Sequence, residues 1–216
     1  MISLLTKGGP VIIPLILLSI FALAIVLEKL WRLWRLRSNM DVFAEKVYSL
    51  VEQGDFHPAL NECSNYKHPL SEIFETALLN RSQDSKELER MVEKTGSDMV
   101  EGLESRLGAL ATIVGVAPMM GFLGTIIGLI RAFMAWEKLG EEITVNALAG
   151  GIYEAMITTA VGLSIAIPNY MLYNYLVSVV QTISKQMSGY ADDLLHFLTN
   201  ANQKDRNERE ALKDEV

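Results

Sequence analysis

Residues 143–184 read ITVNALAGGIYEAMITTAVGLSIAIPNYMLYNYLVSVVQTIS, and Glu154 is the only charged residue among them. Elsewhere the tract is mostly apolar or small, and it is long enough to cross a bilayer, which takes about 20 residues. A carboxylate in such a tract is costly unless it is protonated, paired or wetted. A helix needed only as an anchor would carry Ala or Leu at that place. Glu154 therefore points to an ion path or to an intramembrane partner. From the residues alone, two other settings stay open: an ion pair with Arg131 or Lys138, and a wet place near the membrane surface.

Working outward, two more uncharged runs cover residues 8–27 and 107–130, and each fits one crossing. As a helix, the 143–184 tract would extend roughly 60 Å, so its second half should leave the membrane. Asn169, Tyr170, Tyr173, Asn174 and Tyr175 mark the expected water boundary. The predicted fold is all-α: a polytopic membrane protein with three transmembrane helices, its long helices extending into a cytoplasmic helical domain. The spans are expected over residues 10–30, 107–133 and 147–170. The third continues as a cytoplasmic helix to residue 200. Residues 38–106 form the cytoplasmic segment, 137–146 the outer loop and 203–216 a charged, frayed tail. The chain carries no repeat or low-complexity linker and reads as one module over 1–216.

The basic residues set the orientation. Lys29, Arg32, Arg35 and Arg37 follow the first span, with Trp31 and Trp34 as interfacial anchors, whereas the outer loop carries Glu137, Glu141 and Glu142 against Lys138. The positive-inside rule places the Arg-rich side in the cytoplasm, with the N-terminus outside and the C-terminus inside. Lys7 before an apolar run could open a signal peptide, but no small-x-small cleavage site precedes the basic cluster, and a retained helix is expected. Arg131, beside Trp136 near the outer end of the second span, can snorkel.

Within the cytoplasmic segment, Asp41 is expected to cap a helix through Gln53, with Gly54 ending it. Asp55 caps a short helix over 56–63, and Pro69 opens another through Arg81. Asp84 or Ser85 starts the last, with Leu88, Met91 and Val92 on one face. Only Gly96, Gly102 and Gly108 interrupt the run into the second span. One continuous helix from 85 to 136 is therefore expected, beside one from 144 to 200, in a bundle with a cytoplasmic stalk.

Of the 216 residues 50% are hydrophobic, and the net charge is −7. That charge and the lack of a basic stripe speak against a nucleic-acid partner. Cys63 is the single cysteine, which excludes an intramolecular disulfide. His57, His68 and His196 show no metal-ligand spacing, so no metal and no cofactor are expected. No HExxH, GxSxG or P-loop motif occurs, so the chain does not read as an enzyme.

Small residues line both long spans. In the second, Gly124 and Gly128 form a GxxxG, Ala117, Gly121 and Thr125 form a parallel row, and Pro118 is expected to kink the helix. In the third, Gly151 precedes a face of Ala155, Thr159, Gly162 and Ala166, and Glu154 and Thr158 share the adjacent face. Such rows let backbones approach closely, so packing is the expected role of Gly121, Gly124, Gly128, Gly151, Ala155 and Gly162. Thr125 and Thr159 should lie at similar depth on antiparallel spans, with Glu154 about two turns nearer the outside. A lone membrane Thr commonly bonds to its own i−4 carbonyl. Two hydroxyls at matching depth below a carboxylate suit a route along which a proton moves without being trapped.

Two stretches, APMMGFLGTIIGLIRAF at 117–133 and LAGGIYEAMITTAVGLSIAIPNYMLYNYL at 148–176, resemble the ExbB/TolQ/MotA family of inner-membrane ion-channel subunits. The three-span layout agrees with ExbB and TolQ better than with the four-span flagellar stator. Cys63 and Pro69 in the loop agree as well. The resemblance implies a homopentamer in the bacterial inner membrane. It would surround the single spans of two copies of an ExbD- or TolR-like partner that carries the proton-binding aspartate. It further implies that Thr125 and Thr159 line the ion path, that Glu154 is the family's third-span glutamate, and that a TonB- or TolA-like protein receives the work. TonB-type uptake is the first expectation, with Tol-type envelope maintenance as the alternative. Thr158 adds a hydroxyl beside Thr159, so Na⁺ stays open beside H⁺ as the ion. A passive membrane scaffold is the competing class.

Overall fold

The computed structural model describes residues 8–36, 40–139 and 145–214, with side chains for 8–36, 40–138 and 149–200. Lys7, Arg37, Glu141, Glu142 and the side chains of the acidic tail lie outside the described residues. Among the described residues the secondary structure is helical throughout: α1 Ile12–Leu36, α2 Met40–Glu52, α3 Phe56–Asn65, α4 Pro69–Leu79, α5 Ser85–Glu104, α6 Leu107–Leu139 and α7 Val145–Asp214. Three stretches are long and apolar enough to cross a membrane, within Ile12–Leu36, Ser85–Lys138 and Ala149–Asn200. The chain is thus an all-α polytopic membrane protein. It divides into two compact units, Met1–Trp31 with Arg106–Val177, and Arg32–Ser105 with Ser178–Val216.

The first unit is built from the three apolar stretches. Leu15 of α1, Ala117 of α6 and Ala166 of α7 meet in its core, with Val11, Met120 and Val161 packed around them. Large apolar side chains such as Phe21, Phe122, Phe133 and Met156 point outward, as suits a surface solvated by hydrocarbon. Helix α6 runs unbroken through Pro118, and α7 through Pro168. Lys29, read as part of the boundary cluster, is fully buried.

The continuous helix expected from 85 to 136 is interrupted. Helix α5 ends at Glu104, and Arg106 takes a φ of 66°, a left-handed conformation that costs a non-glycine residue about 1–2 kcal/mol. Tertiary contacts override the local helical preference here: the Arg106 guanidinium pairs with the Glu28 carboxylate of α1, and Leu103 and Leu107 on either side are both buried. At the other end of the chain, α7 continues to Asp214, past the end expected near residue 200.

In the second unit, α2 buries Phe43, Val47 and Val51, four residues apart on one face. Helix α7 presents Ile183, Met187, Leu194 and Leu198 in the same way. Aromatic rings tie the unit together: Phe43 stacks on Tyr66 with centroids 4.2 Å apart, and Tyr48 packs on Phe197 at 5.0 Å. The Tyr48 hydroxyl donates to the Tyr190 carbonyl at 2.8 Å, and the Tyr190 hydroxyl donates to Asp41. Asp41 therefore lies inside the first turn of α2 and serves Tyr190, instead of capping the helix as expected. Gly54 follows α2 with φ +81°, a conformation that favours glycine. Asp55 and Asp84 stand at the N-caps of α3 and α5 without side-chain cap bonds.

Helix α4 begins at Pro69, as expected, but its cap is His68. The ring Nδ1 accepts from the Leu70 N–H at 3.0 Å, and Nε2 lies 3.1 Å from the Leu36 carbonyl. Both bonds are satisfied by a neutral ring carrying its proton on Nε2. Burial pushes the His68 pKa down, opposed by the bond to Leu36. Nearby, burial and the charges of Glu75 and Glu62 push the Cys63 thiol up to about 12, which makes it a poor nucleophile.

Candidate ion path in the α6–α7 pair

Helices α6 and α7 pack antiparallel through the small residues that the sequence places on their faces. A Cβ added at Gly128 would lie 2.8 Å from the Gly151 carbonyl oxygen and 2.9 Å from Ala155 Cβ. One at Gly151 would lie 2.8 Å from Ala132 Cβ, and one at Gly162 only 2.6 Å from the Ala117 carbonyl oxygen. At Gly121 the nearest atoms would be the Thr158 oxygen and Thr159 Cα, both 3.1 Å away. The two backbones are in contact along more than three turns, and any side chain would force them apart.

The three threonine candidates sit in three different settings. Thr159 Oγ1 donates to the Gly121 carbonyl on the opposite helix at 3.0 Å. Gly121 is one turn before Thr125, so the two hydroxyl-bearing residues lie within about one turn of each other along the pair. Thr125 Oγ1 donates to the Phe122 carbonyl of its own helix at 2.6 Å from a half-exposed position. Thr158 is 1% exposed, packed under Gly124, and donates back to its own helix at Ala155 O (2.8 Å) and Glu154 O (3.1 Å). Thr125 and Thr159 are thus half-buried, while Thr158 is fully enclosed.

Glu154 is paired. Arg131 Nη1 of α6 lies 2.5 Å from Glu154 Oε1, with the carboxylate side chain 17% exposed and the Arg131 side chain 47% exposed. Of the two cations that the sequence offered, the structure selects Arg131. Close packing at Gly128 and Gly151, one turn away on each helix, sets this reach. Gly9 completes the surroundings. Its φ is +68°, and its Cα approaches the carboxylate so closely that a Cβ would collide with Oε1. The Gly8-Gly9-Pro10 string signalled a turn before α1, but its contact with Glu154, some 145 residues away, left no local mark. Among the described residues, no group of three His, Cys, Asp or Glu side chains is placed to hold a metal ion.

Two apolar spans packed backbone to backbone, joined by one interhelical hydroxyl bond and one ion pair, define a polytopic membrane protein with polar contacts between its spans. The sequence pattern described as the MotA/TolQ/ExbB proton channel family matches residues 65–189, and the chain belongs to that family. It is a channel family and not an enzyme family. The chain is 33% identical over 203 residues to a putative biopolymer transport protein ExbB homolog of Methanothermobacter thermautotrophicus, covering 88% of this chain and 70% of that protein. A putative biopolymer transport protein ExbB-like 1 of Synechocystis is 35% identical over 189 residues, covering 86% and 72%. The Tol-Pal system protein TolQ of Haemophilus influenzae is 39% identical over 99 residues, 46% of this chain and 43% of that protein.

Proposed function

We propose that this chain is the multi-pass subunit of a proton-driven motor in a bacterial inner membrane. It works with a single-span ExbD- or TolR-like partner and delivers the proton-motive force to a TonB-type uptake machine. The observation that carries the reading is the α6–α7 pair itself, where the Thr159 hydroxyl bridges to Gly121 one turn from Thr125, below the Glu154–Arg131 pair. Thr125, Thr159 and Glu154 are the proposed ion-path residues. Thr158, with Gly121, Gly124, Gly128, Gly151, Ala155 and Gly162, holds the helices together. The chain offers a single carboxylate in these spans, so a complete relay draws a second acid from the partner. Assembly as a homopentamer, with the N-terminus periplasmic and the C-terminus cytoplasmic, belongs to the same proposal. The partial likeness to a TolQ protein favours one second reading, a Tol-type machine for envelope maintenance.

The test separates a conducting subunit from a passive scaffold. In cells carrying chain and partner, Glu154→Gln and Thr159→Val should abolish energised work while both proteins assemble at wild-type levels. Full activity in both variants would make the chain a scaffold. Neighbouring genes for a TonB-like or a TolA-like protein would choose between the two machines.

A further inference from the structure

We propose that Arg131 is a selectivity-determining and positioning residue, which keeps the outer part of this path open to protons and closed to metal cations. The inference rests on the ion-path reading above and goes beyond it by naming the residue that chooses the ion.

Three observations carry it. The Arg131 guanidinium occupies Glu154 Oε1 at 2.5 Å. The Gly9 backbone lies against the same carboxylate, filling the space where further ligands would stand. Thr158, the hydroxyl one turn from Glu154, is 1% exposed and packed under Gly124, closed to an incoming ion. A Na⁺ ion at this level would need a shell of several oxygens. It would have to expel a guanidinium of like charge and would find one carboxylate, already neutralised. A proton needs no shell. Hydronium hands one proton to a carboxylate oxygen, an O–H bond forms, water is released, and the guanidinium stays where it is. When that proton leaves to the next acceptor the pair closes again. The same contact restrains the carboxylate, because the glycine seam at Gly128 and Gly151 fixes the register from which Arg131 reaches it. Selectivity then follows from occupancy: the guanidinium holds the coordination space beside the acid that a metal cation would need and a proton would not.

The test uses vesicles holding the chain with its co-purified partner and an imposed membrane potential, with either NaCl or choline chloride outside. Wild type should move protons at the same rate in both salts, and Arg131→Lys should do likewise. Arg131→Gln should become sodium-sensitive by about tenfold, the scale of one lost electrostatic contact, through Na⁺ passage or through Na⁺ competing at Glu154. If Arg131→Gln no longer conducts, thermal unfolding of the purified variants reports the same event: NaCl against choline chloride raises the melting temperature of Arg131→Gln and leaves wild type unmoved. Indifference of Arg131→Gln to sodium in the assay that reads it overturns the role of Arg131. So does a wild type driven by Na⁺. The first result leaves the ion-path reading standing, and the second keeps the path but replaces the proton as the ion that drives the motor. A wild type that moves neither ion overturns that reading and this inference with it.

Discussion

Gly162→Ala tests the helix pair where an added Cβ would come nearest to the facing backbone. The new Cβ would start 2.6 Å from the Ala117 carbonyl oxygen, and an ordinary contact begins at about 3.4 Å, so α6 and α7 must part locally by roughly 0.8 Å. The obstacle is backbone and cannot swing aside. Thr159 sits less than one turn from Gly162, and its bond to Gly121 is 3.0 Å long. The same opening stretches it to nearly 3.8 Å, past the hydrogen-bond limit of about 3.5 Å. Overpacking of this kind costs about 1–3 kcal/mol, and the lost bond adds about 1 kcal/mol, for a total of about 2–4 kcal/mol. A double-mutant cycle with Thr159→Val, read by reversible unfolding in mixed micelles, resolves the two parts. Thr159→Val should cost about 1 kcal/mol in wild type and close to nothing in Gly162→Ala, because the bond is already broken there. Gly115→Ala on the same α6 is the control, since its Cβ would meet nothing within 4 Å. Equal stability of Gly162→Ala and wild type, or an undiminished Thr159→Val effect in the Gly162→Ala background, refutes the reasoning.

His68→Asn should keep the α4 cap, since Asn caps well, while removing a titrating group. The folded-state pKa of His68 is lowered by burial, so its contribution to stability is complete above the unfolded value of about 6.5 and is lost as pH falls through the folded value. The wild type should therefore lose more stability than His68→Asn below about pH 6.5, as melting temperatures across that range will record, and parallel curves would contradict the capping geometry. Cys63, with its thiol pushed up to about 12, should react with maleimide at pH 8 roughly a thousandfold more slowly than a free cysteine. It should label promptly once the chain is unfolded in SDS, and rapid labelling of the folded protein would show the site open.

Much of the helix pair was legible in the sequence because close backbone approach admits few residue types. The glycine rows on α6 and α7 could be found by spacing alone, and the need of a membrane carboxylate for a counter-charge narrowed its partner to Arg131 or Lys138. What stayed hidden depended on contacts distant in sequence. Arg106 carries no glycine-like signature, and its left-handed backbone is held by the pair with Glu28. His68 falls outside the usual Ser, Thr, Asp and Asn caps, and only its second bond, to Leu36, makes an imidazole suitable there. The sequence set Thr159 on the small-residue face and Thr158 on the face of Glu154, without fixing which hydroxyl would be enclosed. One position of helix rotation, about 100°, places one under Gly124 and lets the other bridge to α6.

Proton flux through reconstituted vesicles containing the chain and its single-span partner tests the central claim most directly. Wild type should acidify the lumen under an inward potential. The double variant Thr125→Val/Thr159→Val should be tight at equal protein content, and Thr125→Ser/Thr159→Ser should conduct. If the valine and serine variants carry protons equally well, the hydroxyls of α6 and α7 are packing groups and the track between these helices is not the ion path.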